Sequence, residues 1–151
     1  MALDEATMLD IDRLRATPLI TEPFEYVIVR NFIGRERLEK AQADYPEVPG
    51  PGSHPPAGLK IAGGFKALMD ELLGEPFKRA VEEKFAIDLD RRPTMYTVRG
   101  FCRARDGKIH TDSETKLITV LLYMNDASWP NEAGRLRLLR NGADLENFVE
   151  E

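Results

Sequence analysis

Gly107-Lys108-Ile109-His110-Thr111-Asp112-Ser113, with the apolar run of residues 116–124 close behind it, is the stretch that decides how this chain is read. Residues two apart on an extended chain point to the same side, so the imidazole of His110 and the carboxylate of Asp112 can grip one metal ion. The run that follows alternates, with Leu117, Thr119, Leu121 and Tyr123 on one face and Ile118, Val120, Leu122 and Met124 on the other. That is the period of a strand. Only the first face has polar handles, and a pocket for a small dianion needs apolar walls with a few fixed donors, which Thr119 and Tyr123 can supply. The plainer reading is that threonine and tyrosine are simply good strand formers.

Outward from this stretch the elements change character. Residues 94–102, 108–112, 116–124 and 135–139 read as short strands, whereas the part before Pro93 is mainly helical. The exception is 24–32, rich in β-branched and aromatic residues, which reads as a half-buried strand. Residues 34–45 place Leu38, Ala41 and Tyr45 on one helical face, closed by Pro46. Phe65, Leu68, Met69, Leu72 and Leu73 form an apolar stripe at helical period, with Gly74 where glycine commonly follows a helix. Pro76 suits the first turn of a further helix whose buried face is Phe77, Ala80, Val81 and Phe85. Helices followed by strands imply an α+β fold, with helices buttressing one face of a largely antiparallel sheet. The organisation expected is one domain over 1–151, with a loose lead-in and short helix at 1–22, a strand and scaffold helices at 23–93, and sheet from 94 onward.

Composition bounds the function classes. The 151 residues are 42% hydrophobic, enough for one core, and 21 basic against 26 acidic residues give a net charge of −5, which argues against a nucleic-acid partner. Cys102, the sole cysteine, makes no internal disulfide. The acidic start lacks the features of a signal peptide, and no apolar run is long enough for a membrane span. The chain reads as cytoplasmic and free of the membrane.

A His-X-Asp pair supplies two of the three ligands of the facial triad that holds non-haem Fe(II). The block 99–139 resembles the 2-oxoglutarate- and Fe(II)-dependent oxygenases, in their prolyl-hydroxylase-like branch. The resemblance is carried by the Gly-X-X-His-X-Asp segment from Gly107 to Asp112, the strand ending Tyr123-Met124-Asn125, the loop aromatic Trp129, and Gly134-Arg135-Leu136-Arg137. A weaker likeness covers 23–45. It implies a double-stranded β-helix, or jelly roll, with His110 and Asp112 as the first two iron ligands. It also implies Tyr123 on the remote carboxylate of 2-oxoglutarate, with Thr119 beside it and Leu136 lining the pocket. The cofactors implied are Fe(II), 2-oxoglutarate as cosubstrate, and ascorbate. The activity implied is hydroxylation of an unknown small molecule or protein side chain. The family's distal histidine and the basic residue beyond it have no match here, and 141–151 resembles the region before those last strands. The sequence therefore reads as a C-terminally truncated oxygenase domain, inactive as a fragment and prone to self-association through an unpaired sheet edge. The alternative is a non-catalytic β-helix module for binding or assembly. A metal-dependent hydrolase needs further ligands that the spacing does not indicate.

Other features are weighed against plainer readings. His54, among prolines and glycines, reads as an exposed loop histidine rather than an unconventional third ligand. Cys102 reads as a small buried hydrophobe. Arg99, Arg103 and Arg105 read as a solvated strand face, with an acidic-substrate contact as the alternative. Arg137 and Arg140 sit at a different strand position from the family's arginine and do not inherit its role. The glycine-rich stretches lack the ending of a phosphate loop, and 48–60 reads as a mobile loop and, by analogy, a lid.

Overall fold

The computed structural model describes residues 7–103, 107–125, 128–130 and 135–151. Arg105 and Gly134, both named above, lie outside the described residues, as does the acidic start. The described chain is α+β: helices α1 (Ile11–Ala16), α2 (Arg35–Ala43), α3 (Gly63–Leu72) and α4 (Glu75–Phe85), with two small antiparallel sheets. Strand β1 (Ser53–His54) pairs with β2 (Val98–Arg99), and β3 (Leu138–Leu139) pairs with β4 (Phe148–Glu150).

The helices follow the apolar stripes. Ala41 of α2 and Phe65, Leu68 and Met69 of α3 are buried together with Met8, Leu9, Ile33 and Val98. The two helices approach so closely at Gly64 that a Cβ there would sit 2.9 Å from the Lys40 carbonyl oxygen. Leu73, the last residue of the expected stripe, is exposed because it is the C-cap of α3. Gly74 is not a left-handed stop: with φ −84° and ψ 165° it is the N-cap of α4, and Pro76 stands in that helix's first turn. The left-handed residue is Ala86, which ends α4. A second core cluster gathers Leu14 of α1 with Ala80 and Val81 of α4.

Two expectations for the first third are corrected. The described part of the lead-in is not loose: Met8 and Leu9 are core residues, and their N–H groups donate to the Glu71 carboxylate at 2.8 to 3.2 Å. The strand expected at 24–32 is replaced by the isolated bridges Ile20↔Tyr26 and Leu9↔Ile33. Asn31 enters the left-handed region with φ 55°, which breaks the run, although Val27, Val29 and Phe32 still pack against the second cluster.

The later strands are shorter than the pattern predicts. Of 94–102 only Val98–Arg99 is strand, of 135–139 only Leu138–Leu139, and 108–112 and 116–124 have none. No double-stranded β-helix is formed among the described residues. Alternation prepares a segment to lie on a core, but a strand also needs a backbone ladder, and 116–124 has no ladder partner among the described residues. Its alternation survives in packing: Leu122 and Met124 rest on the first cluster and Ile118 on the second, while Leu117, Thr119, Leu121 and Tyr123 face outward. Val120 departs from the pattern and is exposed. No helix is long and apolar enough to cross a membrane.

Candidate metal centre

The local chain around His110 and Asp112 is organised by a turn. Lys116 N–H donates to the Ser113 carbonyl at 2.9 Å, and the Ser113 hydroxyl meets that of Thr115 at 2.9 Å and accepts from the Thr115 N–H at 3.3 Å. The turn brings Thr119 back to Asp112, whose Oδ2 accepts a hydrogen bond from the Thr119 hydroxyl. His110 Nδ1 lies 2.7 Å from the Lys108 carbonyl oxygen. A carbonyl only accepts, so this contact places the proton on Nδ1 and leaves Nε2 of the neutral ring with its lone pair. Both side chains are exposed.

The outer face of 116–124 carries the other site candidates. Tyr123 is 62% exposed. Burial of part of its ring against the protein pushes the phenol pKa up, against the downward pull of the Arg99 guanidinium, and Cys102 adds a smaller upward push. The segment is fixed from behind: Gln42 Nε2 donates to the Met124 carbonyl, tying it to α2. Leu136, just before β3, is 43% exposed and belongs to neither core cluster.

Thr119 and Asp112 are thus brought together, and Tyr123 is carried on the same outward face as Thr119. Among the described residues, neither His110 nor Asp112 belongs to a group of three metal-competent side chains. The group there with three metal-competent side chains in reach of one ion is Glu82, Asp88 and Asp90, beyond the end of α4. Those carboxylates are engaged already: Arg79 bridges Glu82 and Asp90, Lys78 pairs with Asp90, Glu82 accepts from the Leu89 N–H, and Asp88 from the Asp90 N–H.

Three other readings change. His54 is on β1, half-buried, with Nε2 3.2 and 3.1 Å from the Gly50 and Pro51 carbonyl oxygens, so it is not a free loop histidine. Cys102 is exposed, 3.7 Å from Arg99 Nη1, because β2 ends before it and no described residue covers it. Residues 48–60 are stitched down by β1 and by flanking bonds, Gly52 N–H to Phe101 O at 3.2 Å and Gly100 N–H to Gly52 O at 2.8 Å. An open depression of about 610 Å³, lined in part by Tyr45, Glu47, Leu59 and Lys60, lies beside that stretch and includes no residue of 107–125.

What sequence reasoning missed is the groups that bond to His110 and Asp112. The Lys108 carbonyl is backbone and leaves no trace in residue type. The Ser113-Thr115 turn chemistry is visible in the sequence, but the return of Thr119 to Asp112 is not. Compared with family models, with curated proteins and with solved structures, the chain returns no match.

Proposed function

We propose that this chain is part of an Fe(II)- and 2-oxoglutarate-dependent dioxygenase that hydroxylates a small molecule or a protein side chain, with His110 and Asp112 as metal ligands. The observation that carries the reading is that each proposed ligand is oriented from behind. Metal-binding histidines donate their second ring N–H to a carbonyl or carboxylate, and ligating carboxylates are themselves hydrogen-bonded. Here the Lys108 carbonyl holds His110 Nδ1 and the Thr119 hydroxyl holds Asp112. One imidazole nitrogen and one carboxylate oxygen are donor types that suit Fe(II). Two donors are short of a triad, so this reading needs a third from outside the described residues and a sheet, closing as a double-stranded β-helix, to cover the apolar outer face of 117–123.

Iron with 2-oxoglutarate, when bound, supplies the oxidising power for hydroxylation. The chain's own contribution is placement. Tyr123, its phenol pKa raised by burial, stays protonated at neutral pH and can donate to a carboxylate, and Leu136 and the Leu117–Leu121 face supply apolar wall. The net charge of −5 agrees with a substrate other than nucleic acid.

The direct test is titration with Mn(II) followed by paramagnetic broadening of backbone amide signals. The reading expects broadening centred on 108–112 that disappears in His110→Ala. Broadening confined to 82–90, or none, rejects the metal assignment. In the product of the whole reading frame, anaerobic Fe(II) with 2-oxoglutarate should give a visible charge-transfer band. A folded product without the band leaves the second reading, a non-catalytic binding or assembly module, which the missing third donor among the described residues favours.

A further inference from the structure

We infer that Thr119 is a positioning residue for Asp112, setting which carboxylate oxygen is offered to the metal, rather than a contact of the cosubstrate. The inference rests on the metal assignment just proposed and deepens it. A threonine hydroxyl has one proton to give. Asp112, as a carboxylate, only accepts, so the bond between them uses the Thr119 proton. The remote carboxylate of a dicarboxylic acid also only accepts. Thr119 cannot donate to both, and the donor left on this face for such a ligand is Tyr123.

The bond is built into the fold. The turn at Ser113 and Lys116 folds residue 119 back on residue 112. The neighbours of Thr119 fix its height over the core, since Ile118 packs against the Leu14, Ala80 and Val81 cluster and Leu122 against the cluster around Leu68. Asp112 is otherwise on an exposed segment. Among the described residues, its hydrogen bond toward the packed body of the protein is the one from Thr119 Oγ1. With Oδ2 held by the Thr119 hydroxyl, Oδ1 is the oxygen left to a metal.

The test measures Mn(II) affinity at 108–112 by the same amide broadening, in wild type, Thr119→Val, Thr119→Ser and Asp112→Asn. Valine keeps the shape and removes the donor, while serine keeps the donor. Loss of such an orienting partner weakens metal binding on the order of tenfold or more. The expected result is that loss in Thr119→Val, recovery in Thr119→Ser, unchanged helical circular dichroism in both, and no further loss when Thr119→Val is added to Asp112→Asn. If wild type binds at 108–112 and Thr119→Val binds equally well, the inference fails while the metal assignment stands. An equal further loss in the Asp112→Asn background overturns it too, because Thr119 would then act by some route other than Asp112. If wild type shows no binding at 108–112, the metal assignment itself falls and takes the inference with it.

Discussion

Replacing Gly100 by alanine tests whether residues 48–60 are held to β2 or swing freely. A Cβ at Gly100 would lie 2.1 Å from the Gly50 carbonyl oxygen and 3.0 Å from Val48 Cγ1. Close carbon to oxygen contacts in proteins sit at about 3.3–3.6 Å, so the carbonyl has to retreat by roughly 1.2 Å or more. It cannot do so alone. Gly50 O also meets His54 Nε2 at 3.2 Å, Val48 packs on the first core cluster, and Gly52 two residues on is bonded in both directions to Gly100 and Phe101. Overpacking of this kind costs about 1–3 kcal/mol, and one lost backbone hydrogen bond adds about 1 kcal/mol, giving a destabilisation of about 2–4 kcal/mol. With a urea dependence of about 2 kcal/mol per molar, the middle of the range for small proteins, the unfolding midpoint falls by about 1–2 M. The assay is urea unfolding followed by helical circular dichroism, with limited proteolysis reporting cleavage within 48–60. Gly58→Ala is the matched control, since a Cβ there meets nothing within 4 Å. Coincident unfolding curves and cleavage rates for Gly100→Ala and Gly58→Ala would refute the stitched arrangement and restore the lid.

Leu68 is fully buried, so Leu68→Ala should cost about 2–5 kcal/mol in the same unfolding assay, whereas Leu73→Ala, at an exposed C-cap, should cost well under half as much; equal losses would disprove the assigned face of α3. Glu71→Ala removes the acceptor of the Met8 and Leu9 N–H groups, and hydrogen exchange at those two amides should rise sharply while α2 stays protected; unchanged exchange would show that the strap is held elsewhere. Asp10 is held below the usual carboxylate range, first by the Arg13 backbone N–H and then by the Arg13 side chain. A lowered folded pKa stabilises the fold above about pH 4 and loses that contribution as pH falls through the folded value, so Asp10→Asn should flatten the acid limb of the urea midpoint against pH; a limb as steep as wild type would remove Asp10 as its source. Leu121 and Tyr123 are exposed on the outer face of 117–123, and the proposed self-association through it predicts that Leu121→Lys sediments with less association than wild type and an unchanged helical spectrum; equal sedimentation of the two would reject that face as the contact.

How much was legible follows from what each element depends on. Helices α2, α3 and α4 are read well because a helix satisfies its own backbone, so the stripe of Phe65, Leu68 and Met69 needs only one neighbouring face, and Ala41 of α2 provides it. The strands depend on a ladder with another segment, and residue type says little about which segment that is. Residues 116–124 illustrate the difference: the alternation that puts Leu122 and Met124 inward is intrinsic to the sequence and appears in the packing, but the ladder is a property of a partner. The same division governs the site. His110 and Asp112 stand out because histidine occurs only twice in the chain and an imidazole two residues from a carboxylate is chemically loaded, whereas the groups that bond to them are a backbone carbonyl and a hydroxyl that also serves as ordinary strand chemistry. Gly74 makes the point for single residues: glycine after an apolar stripe suits both a left-handed helix stop and an extended N-cap, and here the short link to Pro76 selects the cap. Position relative to a neighbour, not residue type, is what separates the roles of Gly74 and Thr119. The substitution of Thr119 by valine and serine therefore asks a question that the sequence poses but does not answer, whether this hydroxyl serves Asp112, the proposed ligand, or the proposed pocket wall.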